Sequence, residues 1–397
     1  MIRVHLSLLI VKYVPRVVKK NMIGFLIQSG LLLGRNSQIS TCSRVRGRRC
    51  MVDSIEDVSD EELDGLLQQA DGPTGDKYQL STSEKDPIAS ALRAVCGCNE
   101  VKGFELMDSR WNGNEAIRAD TDRGNYFVKV NRVEDASVFM SEAVGLTTIR
   151  KTETVYCPMP LHVGSLPKVG EFGPGAFMIL EWLPLVPFGA SRPEAQENLG
   201  HGLAKMHVSS AMDEIHEGKF GFVINNYLSL TPMDNRWTDD WSEFLARRMG
   251  LLLQSLFEQK VYARAPFKKD ESSELINLTQ KLIESLKDRF ADVPVKPSLL
   301  HGDLWIGNAG FTKDKAVVYD PACFFGHSEM DLAIMELFGG FTDKFYNAYH
   351  SRIPKAEGFE ERAKVYKVYH YLNQLNLFGN EEVKVEVIKL LRKLVES

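Results

Sequence analysis

The stretch His301-Gly302-Asp303-Leu304-Trp305-Ile306-Gly307-Asn308, followed by Val317-Val318-Tyr319-Asp320-Pro321-Ala322, decides how this chain is read. Asp303 stands five residues before Asn308, and Asp320 follows twelve residues later, behind a short Val-Val segment. Phosphoryl transfer needs a carboxylate that orients or deprotonates the attacking hydroxyl. It also needs oxygen ligands for a Mg²⁺ ion that neutralises phosphate charge. A base Asp, a metal-binding Asn five residues on and a second metal-binding Asp on the next hairpin supply both. Asp303 is therefore the candidate catalytic base, Asn308 and Asp320 the candidate Mg²⁺ ligands, and His301 a brace for the loop. Two ordinary Asp-containing turns would carry one of these features. The triplet, the Asn spacing and the strand-Asp-Pro sequel together set this pattern apart.

Upstream, Asn125-Tyr126-Phe127-Val128-Lys129-Val130 alternates as a strand, with Tyr126, Val128 and Val130 on one face and Phe127 and Lys129 on the other. Residues 136–150 read as a helix with Phe139, Ala143 and Leu146 in its apolar stripe and Glu142 at the edge of that stripe. A strand lysine paired with a glutamate on the next helix clamps nucleotide phosphates, so Lys129 and Glu142 are expected to bind ATP. Residues 176–182 form an apolar strand that runs into two prolines and Gly189. That predicts a hinge between lobes, with Glu181 and Leu183 offering backbone groups to adenine. Short strands are expected over 104–107 and 115–119, and helices over 87–95, 193–206, 239–257, 274–290, 362–377 and 381–395. The fold class is α+β and bilobal: a small antiparallel-sheet lobe over 86–182 and a larger, mainly helical lobe over 183–397.

The 397 residues are 44% hydrophobic, 25% charged and 10% aromatic, an ordinary globular composition. The net charge of −5 argues against a nucleic-acid binder. Residues 1–52 hold ten Lys/Arg and no Asp or Glu, whereas residues 53–76 hold nine acidic residues and no Lys or Arg. The first segment resembles an organelle transit peptide, for a plastid or a mitochondrion. A cytoplasmic protein starting at Met51 is the alternative. The segment 53–85 reads as an acidic spacer. No stretch is long and apolar enough to predict membrane integration. Six cysteines do not make a disulfide framework in a chain of this length.

These motifs resemble the fructosamine kinase / ketosamine-3-kinase family, within the protein-kinase-like and aminoglycoside phosphotransferase superfamily, over about residues 86–397. The resemblance rests on the Asp303 loop with its following Trp305, on Asp320-Pro321-Ala322 with Gly326-His327-Ser328-Glu329, and on Leu203-Ala204-Lys205-Met206-His207. Thr231-Pro232 with Trp237 and Asp240-Trp241, and Tyr369-His370-Tyr371-Leu372-Asn373, add to it. It implies ATP and Mg²⁺ as cofactors and phosphorylation of the sugar 3-hydroxyl of ketosamines, on small molecules or on glycated proteins, followed by deglycation. It further implies that Trp305, His301 and Trp237 bind substrate, that residues 225–241 line the acceptor site, and that His327, Glu329 and Asp331 support the metal loop. The family's glycine-rich loop aligns with Arg110-Trp111-Asn112-Gly113-Asn114, which has a single glycine. Asn114 is the nucleotide-binding candidate there. Two further readings stay open: a small-molecule hydroxyl kinase of the aminoglycoside or choline type, and a pseudokinase scaffold with an impaired phosphate loop.

Overall fold

The computed structural model describes residues 80–109, 114–132, 136–168, 174–187, 193–258, 269–312, 315–379 and 381–396. The basic extension, the spacer up to residue 79, the loop 110–113 and residues 188–192, which include the end of the expected hinge at Phe188 and Gly189, lie outside them.

The small lobe contains helices α1 (Thr82–Cys96) and α2 (Ala136–Lys151). Its strands are β1 (Val101–Ser109), β2 (Asn114–Thr121), β3 (Gly124–Asn131), β4 (Pro160–Leu166) and β5 (Gly175–Glu181). The strands form one sheet in the order β1-β2-β3-β5-β4, antiparallel throughout. Period-two alternation assigns the faces. Val128, Val130, Phe177 and Ile179 join Ile88 and Leu92 of α1 in a small core, while Met178 and Leu180 join Phe139, Ala143 and Leu146 of α2 in the main one. Helix α1 starts at Thr82, five residues before the expected Pro87, so residues 82–85 of the expected spacer are helical. Its start is set by a capping box, in which the Glu84 carboxylate accepts the Ser81 backbone N–H at 2.9 Å. Glu84 also accepts from Arg132 at 2.7 Å, which ties the helix to the end of β3.

In the large lobe the main described elements run β6 (Val186–Pro187), α3 (Pro193–His207), β7 (Asn226–Leu228), β8 (Thr231–Met233), α4 (Trp241–Glu258), α5 (Lys269–Phe290), β9 (Ser298–Leu300), β10 (Ala309–Phe311), β11 (Ala316–Val318), β12 (Phe324–Gly326), α6 (Glu329–Phe338), α7 (Asp343–His350), α8 (Phe359–Phe378) and α9 (Glu381–Val395). Two small antiparallel sheets position the chemistry. One pairs β11, β10 and β6, and the other pairs β12 with β9. The 301–308 loop leaves β9 and enters β10, and the 319–323 loop leaves β11 and enters β12, so both loops are held at each end by the same two sheets. Helix α6 and the β7-β8 hairpin were not legible in the sequence. Residues 329–335 are all buried, polar Glu329 and Asp331 included, so α6 shows no amphipathic stripe. Among the described residues no helix is long and apolar enough to cross a membrane, and Cys96, Cys98, Cys157 and Cys323 are free thiols.

Candidate active site

Strand β3 turns Lys129 away from the small core, and α2 brings Glu142 to meet it. Lys129 Nζ donates to Glu142 Oε1 and Oε2 at 2.8 and 2.7 Å and to Asp320 Oδ1 at 3.1 Å. Burial works against the ammonium charge of Lys129, yet Asp320 and Glu142 outweigh it and hold its pKa above the ordinary value. A residue from each lobe thus meets on one buried cation.

The 301–308 loop is built from backbone hydrogen bonds to buried side chains. Asp331 of α6 accepts the N–H groups of His301 and Gly302 at 2.8 Å each, and His207 of α3 contacts the same carboxylate at 3.2 Å. Burial would raise the Asp331 pKa, but the bond and charge of His207, with His301 and the Gly302 N–H, bring it below the usual range. His301 is fully buried. Its Nδ1 accepts the Asp303 N–H at 3.3 Å and its Nε2 faces the Tyr319 carbonyl at 3.1 Å, an arrangement met by a neutral ring protonated at Nε2. Burial pushes its pKa down, consistent with that neutral form. The loops are further joined where Ala322 N–H donates to His301 O at 2.8 Å and Tyr319 N–H to Asn308 O at 3.0 Å.

Gly302 has φ of 81°, and a Cβ there would lie 2.2 Å from the Ala322 carbonyl oxygen. Asp320 itself holds φ of 57°, the left-handed region that non-glycine residues seldom occupy.

Asn308 donates from Nδ2 to the Asp303 backbone oxygen at 2.8 Å and to Asp303 Oδ2 at 3.3 Å, which turns its amide oxygen the other way. Burial and the Asp320 charge push Asp303 up to about 7, against the bond from Asn308. That places a carboxylate near the pKa suited to a general base. Among the described residues no group of three His, Cys, Asp or Glu could hold a metal alone. The oxygens of Asn308 and Asp320 fit Mg²⁺ all the same, because that ion takes one or two carboxylates and completes its shell with phosphates and water.

Two cavities meet at Glu142 and Asp320. One, of about 600 Å³, lies under the sheet and is walled by Phe127, Leu180, Glu181, Leu183, Ile306 and Tyr319. The other, of about 260 Å³, contains Asn114, Lys129, Asp303, Trp305, Asn308 and Asp320. The structure therefore brings together all the nucleotide, metal and base candidates and Trp305. The side chain of Glu181 is engaged by the Tyr156 hydroxyl at 2.8 Å and the Met159 N–H at 3.1 Å. Asn114 holds the Nδ2 of Asn131 at 2.7 Å.

His301 and Trp237 stand elsewhere. His301 lines neither cavity, and Trp237 stacks on Phe325 with centroids 5.9 Å apart. Residues 225–241 reach the Asp303 cavity through Tyr227 and Ser229 instead. Asp331 supports the 301–308 loop, which carries the metal candidate Asn308, while Glu329 is occupied by Arg362 at 2.6 and 2.8 Å and His327 by the Tyr366 hydroxyl at 2.7 Å.

His370, 3% exposed, also lines the cavity; in the sequence it falls within the 369–373 motif but was given no site role, and its Nε2 has no hydrogen-bond partner. Its position one turn before Asn373 and Gln374, which also line the cavity, was the available signal.

The fructosamine kinase family model matches residues 107–397. The chain is 39% identical over 298 residues to a chloroplastic protein-ribulosamine 3-kinase of Oryza sativa subsp. indica, covering 75% of this chain and 80% of that one. It is 35% identical over 317 residues to a ketosamine-3-kinase of Mus musculus, covering 74% and 95%. The solved structure of a candidate fructosamine-3-kinase from Thermobifida fusca superposes with a TM-score of 0.62 at 26% identity, over 78% of this chain and 99% of that one. With the family match running from the end of β1 through the other four strands of the sheet, both loops and the helices of the large lobe, the chain belongs to the fructosamine kinase family.

Proposed function

We propose that this protein is an ATP-dependent kinase that phosphorylates the 3-hydroxyl of a ribulosamine or fructosamine carried by an amine or a protein. The observation that carries the reading is the convergence of Lys129, Glu142, Asp303, Asn308 and Asp320 where two cavities meet, one sized for a nucleotide and one for a sugar. The relatives named ribulosamine and ketosamine 3-kinases supply the acceptor class.

In this reading Glu181 and Leu183 flank the adenine, and Lys129, oriented by Glu142, holds the phosphates beside Asn114. Asn308 and Asp320 hold Mg²⁺, which when bound offsets the negative charge of the phosphate oxygens. Asp303 accepts the proton of the attacking hydroxyl through the carboxylate that Asn308 fixes at 3.3 Å. Trp305 takes the sugar face, its ring resting on Gly307, where a Cβ would come within 2.2 Å of the indole. His301 acts from behind the loop.

The test is incubation of the chain from Met51 onward with Mg-ATP and a ribulosamine. Release of ADP with a new sugar phosphate is expected; ATP binding without turnover would remove the acceptor assignment.

The acid-free basic segment 1–52, read beside the chloroplastic relatives, supports delivery to plastids, with the kinase lobes beginning near Leu80. A fluorescent fusion of residues 1–60 should enter plastids, and cytosolic retention would overturn this.

A further inference from the structure

Of the large apolar side chains that the described fold leaves exposed, three gather at the Asp303 cavity: Trp305 at 37%, Phe338 at 43% and Phe378 at 36%. Scattered exposed apolar residues need no explanation, whereas a group at the mouth of a reactive cavity does. Phe338 is held there by construction. It ends α6, the helix whose Asp331 anchors the 301–308 loop, and stands seven residues after Asp331, two turns along nearly the same side.

The helix stops at Gly339, whose N–H returns to the Met335 carbonyl at 2.9 Å. The chain then turns at Gly340, φ 87°, so close to Ile306 that a Cβ would lie 2.7 Å from its side chain. The Phe338 ring is left 5.6 Å from the Trp305 ring, tilted by 47°. Much of the remaining lining is neutral: Tyr227, Ser229, Ile334, Asn373 and Gln374. The charged groups of the cavity are Lys129, Glu142 and Asp320, joined in one hydrogen-bonded cluster, and Asp303, the proposed base; His370, which also lines it, is kept neutral by burial.

Resting on the ketosamine reading above, we propose that Phe338 is a specificity-determining residue that, beside Trp305, receives the apolar substituent on the acceptor's amine. The sugar hydroxyl faces Asp303, the sugar lies on Trp305, and the amine leaves the cavity across Phe338. An aliphatic or aromatic group next to the nitrogen covers the exposed ring, and no side chain on that wall answers a second charge there.

The experiment compares kcat/KM for the ribulosamine adducts of benzylamine and of methylamine, the acceptor class tested above, which share sugar and nitrogen and differ in the apolar group. The wild-type chain should prefer the benzylamine adduct through a lower KM. In Phe338→Ala the benzylamine-to-methylamine ratio should fall about tenfold, carried by KM, and Phe338→Leu should restore most of it. A wild-type ratio near one, a ratio unmoved by Phe338→Ala, or equal losses on both adducts would overturn the proposal. Failure of the wild-type chain to phosphorylate either adduct is a different result: it removes the ketosamine reading, and this inference with it.

Discussion

Asp303 is held by two opposing influences: burial and the Asp320 charge raise its pKa to about 7, and the Asn308 amide moderates the rise. Replacing it with Asn keeps the shape and removes the proton acceptor. Turnover in Asp303→Asn should fall by about 10²–10⁴-fold with ATP affinity little changed, as single-turnover kinetics and nucleotide titration would show. Retained turnover would take Asp303 out of the role of base. Gly302 makes a separate prediction, because its φ of 81° and the Ala322 oxygen, 2.2 Å from where a Cβ would stand, forbid a side chain on two counts. Gly302→Ala should cost roughly 2–4 kcal/mol in urea unfolding and loosen the junction of the two loops. The candidacies of Asp303, Asn308 and Asp320 were legible because spacing within one loop and the next survives folding. The placement of Trp237 was not, because a tryptophan at a core seam and one at a binding surface look alike in sequence.

Among the elements, α6 carries more than its apolar composition suggests. Its Asp331 satisfies two backbone N–H groups of the 301–308 loop and meets His207 of α3, so one carboxylate connects a helix, a loop and a second helix. In Asp331→Ala those buried donors lose their partner, and a stability loss of roughly 3–5 kcal/mol is expected. Because the loop carries Asp303, kcat should fall more than the KM for ATP changes. A variant that melted early yet kept its full kcat once folded would show that Asp331 supports the fold and not the loop geometry. The β3 alternation and the α2 stripe were readable in the sequence, since each has one apolar face. Helix α6 was hidden because it is buried around most of its circumference.

For the whole molecule, several buried imidazoles are kept neutral by their surroundings. Burial, with Arg362 and His207, lowers His327 to about 3, and burial lowers His370 to about 4, whereas the unfolded chain protonates such groups near 6.5. A depressed folded-state pKa contributes stability that is complete above 6.5 and is lost as pH falls toward the folded values. Each of the two histidines should cost about 1.4 kcal/mol per pH unit between about 6.5 and 4. The raised pKa of Asp303 opposes them over the same range with about the weight of one histidine, so urea midpoints across pH 7.5 to 4.5 should decline below 6.5, less steeply than the two histidines alone would give. A flat profile would mean that these imidazoles meet water or protons in the folded state.

The order of residues along the chain already carries the chemistry. A loop's donor spacing, a strand's alternation and the charge contrast between residues 1–52 and 53–76 are local properties that need no partner to be read. Which side chains share a cavity was settled by tertiary packing alone. Lys129 and Asp320 meet across 191 positions at 3.1 Å, and Phe338 comes to stand beside Trp305. The reason is physical: such contacts are fixed by packing two lobes across the main core they share, and the free energy that holds a buried cation between two carboxylates exists only once that packing has excluded water.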